Sequence, residues 1–292
     1  MLCFKVVSHG HAVPDTQRYN ETPEKTMQAL SRRPLRSVRF RTIRTIGALV
    51  LREISMSNGR SLLGYTWDIL EPVGSILILT LIMGQLFRSP QLGQNFPLFY
   101  ASGILPYSFF MDTSARLSNA VRFSRPLLSY PGVTIIDTIT ARFLVAVITK
   151  AVVFSVVLTA IVVIYDLSAF FDYSKVISGV LMALMLGLAL GTMNCLLFTY
   201  IPLYERVFGI LTRPLLLFSA VLYLFETVPL PYRNWLWWNP IIHMVGMVRS
   251  GLYPTYKADY VSPTYVAILV AVMLPISLFF IRRYWREILE RP

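Results

Sequence analysis

Apolar residues fall into six blocks of near-membrane length, at roughly 70–87, 97–119, 139–164, 176–200, 207–225 and 262–281. A helix that crosses a bilayer core needs about 20 mostly apolar residues, so the pattern predicts six transmembrane helices. The first block is short, and Pro106 and Asp112 interrupt the second. Ahead of the first, Ile43, Ile46, Val50 and Ile54 recur at helical spacing, with Arg41 and Arg52 on the opposite face. That predicts a basic amphipathic helix in the membrane interface or along the protein's own membrane edge. Residues 223–253, between the fifth and sixth blocks, read as neither loop nor span. Pro229, Pro231 and Pro240 exclude a continuous helix, and Trp235, Trp237 and Trp238 suit a lipid–water boundary. A backbone broken in this way is tolerated at membrane depth only where it packs on protein or lines a wet cavity. The expected architecture is an all-α integral membrane protein. It has six transmembrane helices, a cytoplasmic amphipathic interface helix, and a broken, partly re-entrant outer segment between helices 5 and 6.

Composition supports the membrane reading. Of 292 residues, 55% are hydrophobic and 14% charged, against about 25% charged in soluble domains; mean hydropathy is +0.58. Twenty-one of the 27 basic residues fall before block one, in the 116–142 region from the end of block two to the start of block three, around the start of block five, or after block six. The positive-inside bias then places both ends in the cytoplasm and residues 223–253 outside. Residues 1–36 lack the apolar run of a signal peptide and read as a polar, flexible cytoplasmic tail, with residues 37–292 as the transmembrane domain. The Asn20-Glu21-Thr22 sequon in that tail has no role on the cytoplasmic side. The net charge of +12 is accounted for by this bias and by anionic headgroups, without nucleic acid. Cys3 and Cys195 lie in unlike surroundings with no metal-ligand spacing, so neither a disulfide nor a metal site is expected.

Short motifs narrow the class. Arg60, Gly64, Trp67 and Pro72 form R-x-x-x-G-x-x-W-x-x-x-x-P at the entry to block one. Trp67 suits an interface anchor, Gly64 a close contact, and Pro72 a helix's first turn. The pattern resembles the entry to the first span of ABC-2 type permeases. Gly103-Ile-Leu-Pro106-Tyr107, with Phe109 and Phe110, is similar to the second span of polysaccharide-exporting members. The segments from Tyr204 to Pro214 and from Pro240 to Tyr253 are similar to capsular polysaccharide export permeases. The second of these runs near P-x-x-H-x-x-E-x-x-R-x-G-Y-F, but Gly246 stands where the glutamate is expected. The resemblance covers about residues 38–290.

That resemblance implies a pore built from two copies of the chain above two separate ATPase subunits, which would bind ATP and magnesium. It also implies a polysaccharide cargo, periplasmic and outer-membrane export components, and a bacterial inner-membrane location. The residues agree on one point: none of the lysines Lys5, Lys25, Lys150, Lys175 and Lys257 follows a glycine, so the phosphate-cradling P-loop pattern is absent from this sequence. No cofactor is expected on this chain, which would do no covalent chemistry. The basic, proline-bounded segment holding Arg122, Arg125, Pro126, Tyr130 and Pro131 is, by resemblance, the helix that docks into the ATPase; an ordinary positive-inside loop is the alternative.

Ionisable groups inside spans are costly and are usually paired or functional. Asp112 and Arg116, four apart, are expected to pair on one helix face. Lys150 lies near mid-membrane, where it either meets an acid on another span or lines a wet path. Arg213 either pairs back to Glu205 or faces a pore. Aromatic faces suit a sliding sugar polymer. The candidate pathway therefore comprises Tyr107, Phe109, Phe110, Lys150, Arg213, Tyr223, Trp235, Trp237 and Trp238, with an interfacial aromatic belt as the alternative for the tryptophans. His243 reads as a hydrogen-bonded structural residue or a pH-sensitive gate.

Three other readings compete. The same permease could carry another cargo: O-antigen, teichoic acid, lipid or drug. A membrane transferase would need convergent carboxylates, which are absent, and a secondary transporter would show internal repeats, which are not visible.

Overall fold

The computed structural model describes residues 41–58, 63–123, 133–167 and 171–284. The expected tail at 1–36, Arg60, and the docking residues Arg125, Pro126, Tyr130 and Pro131 lie outside the described residues.

All regular structure among the described residues is helical. The order is α1 (Arg41–Asn58), α2 (Leu63–Leu86), α3 (Phe96–Ser118), α4 (Ile135–Ile164), α5 (Tyr173–Tyr200), α6 (Pro202–Leu215), α7 (Leu230–Leu236), α8 (Pro240–Leu252) and α9 (Pro263–Arg283). Their starts follow from local chemistry. Thr134 and Asp137 form a reciprocal capping box on α4, satisfying two amides the helix cannot bond internally. Asp172, Asn239 and Ser262 cap α5, α8 and α9 through their side-chain oxygens. Pro97, Pro240 and Pro263 occupy first turns, where a missing N–H costs nothing.

Among the described residues, four helices are long and apolar enough to cross a membrane: Thr66–Leu86, Ile135–Ile164, Tyr173–Tyr200 and Pro263–Arg283. They coincide with the first, third, fourth and sixth predicted blocks. The second block is one uninterrupted 23-residue helix, α3, which absorbs Pro106. The fifth block differs from expectation. α6 has 14 residues, roughly 21 Å at 1.5 Å per residue, and Pro214 lies in its last turn. A single 3₁₀ turn at Leu217–Ser219 follows, then Ala220 in the left-handed region at φ 52°. Pro72 also departs from expectation: α2 starts nine residues before it, so the proline lies inside the helix.

The core is built around α5. Gly187 and Gly191, one turn apart, let α3 approach so closely that a Cβ at Gly187 would stand 2.8 Å from the Phe110 carbonyl oxygen. A Cβ at Gly191 would stand 2.9 Å from that of Ser114. This is the small-residue packing by which membrane helices gain van der Waals contact. α8 runs antiparallel along another face of α5, with Gly179 against Val248 and Gly251 against Val176. α9 joins through a buried hydrogen bond between Thr192 and Ser277 at 2.9 Å. α2 packs on α3 and α4, and α6 has no buried residue at all.

Candidate functional site

Ion pairs tie the helices together around α3. The Lys150 ammonium, at the middle of α4, donates to the Asp112 carboxylate at 2.5 Å. It lies 5.6 Å from the centroid of the Phe109 ring. Its side chain is 2% exposed, while that of Asp112 is 35% exposed. One terminal nitrogen of Arg116 donates to both carboxylate oxygens of Asp68 on α2, at 2.7 and 2.9 Å. The expected Asp112–Arg116 pair therefore does not form; each takes a partner on another helix. A nearly dry ammonium needs a carboxylate more than a half-exposed guanidinium does. Of the two readings for Lys150, the structure shows the paired one. Arg142 of α4 joins Glu53 of α1 at 3.4 Å and donates to the Arg116 carbonyl at 3.2 Å. Beyond α3, Arg122 pairs with Glu205 of α6 at 3.1 Å. Glu205 thus goes to Arg122, and Arg213 is exposed with no ion pair among the described residues.

A second centre forms on α8. Arg249 is fully buried, and its guanidinium donates to the carbonyls of Ala220 at 2.7 Å, Tyr223 at 2.8 Å and Val221 at 2.7 Å. It also stands 4.6 Å over the Phe99 ring. These carbonyls belong to the stretch where the fifth block stops being helical, so one charged fork supplies the donors that the lost helix would have provided. Sequence reasoning counted Arg249 only as an outer basic residue and a motif member. Its place inside the apolar run from Ile241 to Leu252 was the available signal.

The aromatic candidates separate into two packed groups. Phe109 and Phe110 are buried in the main core, with Tyr107 partly buried against it. Tyr223 and Trp237 belong to another cluster with Phe225 and Ile242. There His243 bridges α8 to the start of α9. Its Nε2–H donates to the Trp237 carbonyl at 2.9 Å, and Nδ1 accepts from the Ser262 amide at 3.2 Å. Burial pulls its pKa below the ordinary value. The Trp237 indole N–H donates to the Tyr260 carbonyl at 3.0 Å, and the Tyr265 hydroxyl to that of Trp238 at 2.7 Å. Trp235 is 84% exposed and Trp238 66%. The position of Gly246 is filled by Tyr260, whose hydroxyl oxygen contacts the point where a Cβ would be. Trp67 is exposed on α2.

The sequence from residue 44 to residue 253 matches the family model described as ABC-2 type transporter. The chain belongs to that family. Among curated relatives, the polysialic acid transport protein KpsM of Escherichia coli is 30% identical over 237 residues, covering 80% of this chain and 91% of that protein. The capsule polysaccharide export inner-membrane protein CtrC of Neisseria meningitidis is 24% identical, covering 82% and 91%. BexB of Haemophilus influenzae, of the same description, is 25% identical with the same coverage. This ABC-2 chain is thus a membrane permease that resembles capsule polysaccharide export permeases along most of its length. The matched span takes in the charged pairs around α3, the Arg249 centre and His243.

Proposed function

We propose that the chain is the pore-forming subunit of an ATP-driven exporter of a surface polysaccharide, working as a homodimer above separate ATPase subunits in a bacterial inner membrane. The observation that carries the pore reading is Asp112. Its carboxylate stays 35% accessible while pairing with a lysine at the middle of a helix long and apolar enough to cross a membrane. A charged group facing lipid at that depth is costly, so its open side faces water or a second copy. Tyr107, Ser108 and Met111 lie within a turn or so of it and are partly accessible, giving one stripe of mixed polar and aromatic character. The unburied, amphipathic α6 supports a second copy as the covering partner. The cargo class comes from the relatives' names, and the ATP requirement from the family.

In this reading, ATPase closure moves the segment beyond Arg122, and the Arg122–Glu205 pair carries that motion to α6. The broken stretch held by Arg249 and the helices α7 and α8 form the outer end of the path, with both termini on the cytoplasmic side.

Deleting the gene and comparing surface with cell-internal polysaccharide tests the reading. Polymer retained inside, and restored to the surface by the wild-type gene, is the expected result. Normal surface polymer would overturn the cargo assignment and direct attention to lipid-linked O-antigen, teichoic acid or drug cargo.

A further inference from the structure

The chain between α6 and α9 folds around a cavity of about 380 Å³, within the size range of small-ligand pockets, roughly 300–1,000 Å³. Three aromatic residues wall it: Phe225, Trp237 and Tyr260. Phe225 and Tyr260 are in contact with ring centroids 4.2 Å apart, and Trp237 is pinned by its bond to the Tyr260 carbonyl. Burial raises the Tyr260 hydroxyl to about 12, so it stays protonated. It meets the Tyr256 hydroxyl at 3.4 Å, and that group donates to Glu226 at 2.9 Å. Arg233 is turned back on its own loop, donating to the Val228 carbonyl at 3.2 Å and that of Glu226 at 3.1 Å. The groups that build the wall are therefore satisfied by one another.

Three polar groups on the same cavity are not. Asn234, Lys257 and Asp259 line it, are exposed, and make no side-chain hydrogen bond or ion pair among the described residues. Together they offer an amide, an ammonium donor and a carboxylate acceptor beside rigid rings. An apolar ligand would desolvate all three without compensation. A simple anion would meet Glu226 and Asp259, and a simple cation would meet Arg233 and Lys257. A pyranose satisfies the set: its C–H face lies on an aromatic ring, while its hydroxyls both donate and accept.

We propose that this cavity is a saccharide subsite holding one or two sugar units of the polymer. The inference rests on the export reading and deepens it by placing a sugar contact within a single protomer, on the side of the chain predicted to face outward. Such a contact would hold the emerging end and oppose its backward slippage.

The test uses the full chain, purified in detergent, with two- to six-unit oligosaccharides prepared from the strain's own surface polysaccharide. Binding is read by calorimetry and by tryptophan fluorescence. The variant Asn234→Ala/Lys257→Ala/Asp259→Ala touches none of the bonds that hold the wall. We expect at least tenfold weaker binding with an unchanged melting temperature and helical circular dichroism. Wild-type affinity in the variant, or no binding by the wild type, would overturn the subsite. Retention of polymer inside the deletion strain would in that case leave the export reading standing. Normal surface polymer in the deletion strain would instead remove the export reading, and the subsite with it.

Discussion

Asp112 and Lys150 meet at 2.5 Å between α3 and α4, with the ammonium almost fully enclosed and the carboxylate open on one side. The asymmetry makes the two residues unequal. Removing the acid strands a buried cation, whereas removing the cation frees an acid that water can reach.

Asp112→Ala is therefore expected to destabilise far more than Lys150→Met. Breaking a fully buried pair from one side costs roughly 3–5 kcal/mol, and solvent access to the carboxylate places this pair below that range. The double variant Asp112→Leu/Lys150→Met should recover most of the lost stability, because no unpaired charge remains. Melting temperatures of the detergent-solubilised proteins check the order. Equal losses in the two single variants would contradict it.

Arg249→Lys is expected to fail where a conservative change would ordinarily be tolerated. Lysine has a single nitrogen, while the guanidinium reaches three carbonyls from two of its own, a geometry only the planar fork supplies. Each charge-assisted bond is worth about 1.5–3 kcal/mol, so a loss of several kcal/mol is expected. Limited proteolysis should show new cleavage at residues 217–224, and resistance equal to wild type would refute the staple.

Glycines on α5 and α6 should respond oppositely to alanine. At Gly187 and Gly191 the added Cβ meets backbone of α3 under 3 Å away, so α3 must shift and folded yield should fall. At Gly209 nothing lies within 4 Å, and alanine should stabilise α6 by up to about 1 kcal/mol through helix propensity. Thermal melts of the three variants separate these outcomes.

Stability should decline on acidification below about pH 6.5, the ordinary histidine value, in part through His243. Its folded pKa is lowered by burial. Between the folded value and 6.5, the unfolded chain therefore binds more protons, and stability rises with pH across that window. The neutral ring is also the form its bonds require, since Nε2 donates and Nδ1 accepts. Melting curves at pH 7.5 and 5.5 should show a smaller difference in His243→Ala than in wild type. An unchanged difference would remove this residue as the source.

Much of this was written in the order of residues. Apolar run length determined four membrane-length helices, because a bilayer core demands it whatever the neighbours are. The same rule placed a helix at the second block, although Pro106 had read as an interruption there, and prolines determined the breaks at Pro229 and Pro240. The motif from Pro240 to Tyr253 singled out that segment by resemblance, without showing that it is a helix. Only the tertiary structure decided the partners. Asp112 and Arg116 have the spacing of a local pair, yet Lys150, 38 residues away, and Asp68, 48 residues away, took them. Charge pairing in a dry interior is settled by which helices touch, and helix contacts across such separations leave no period in the sequence. The fifth block stopped at Leu215 for the same kind of reason. Its apolar composition suits a span, but Arg249 in the folded chain claims the carbonyls that a longer helix would have used.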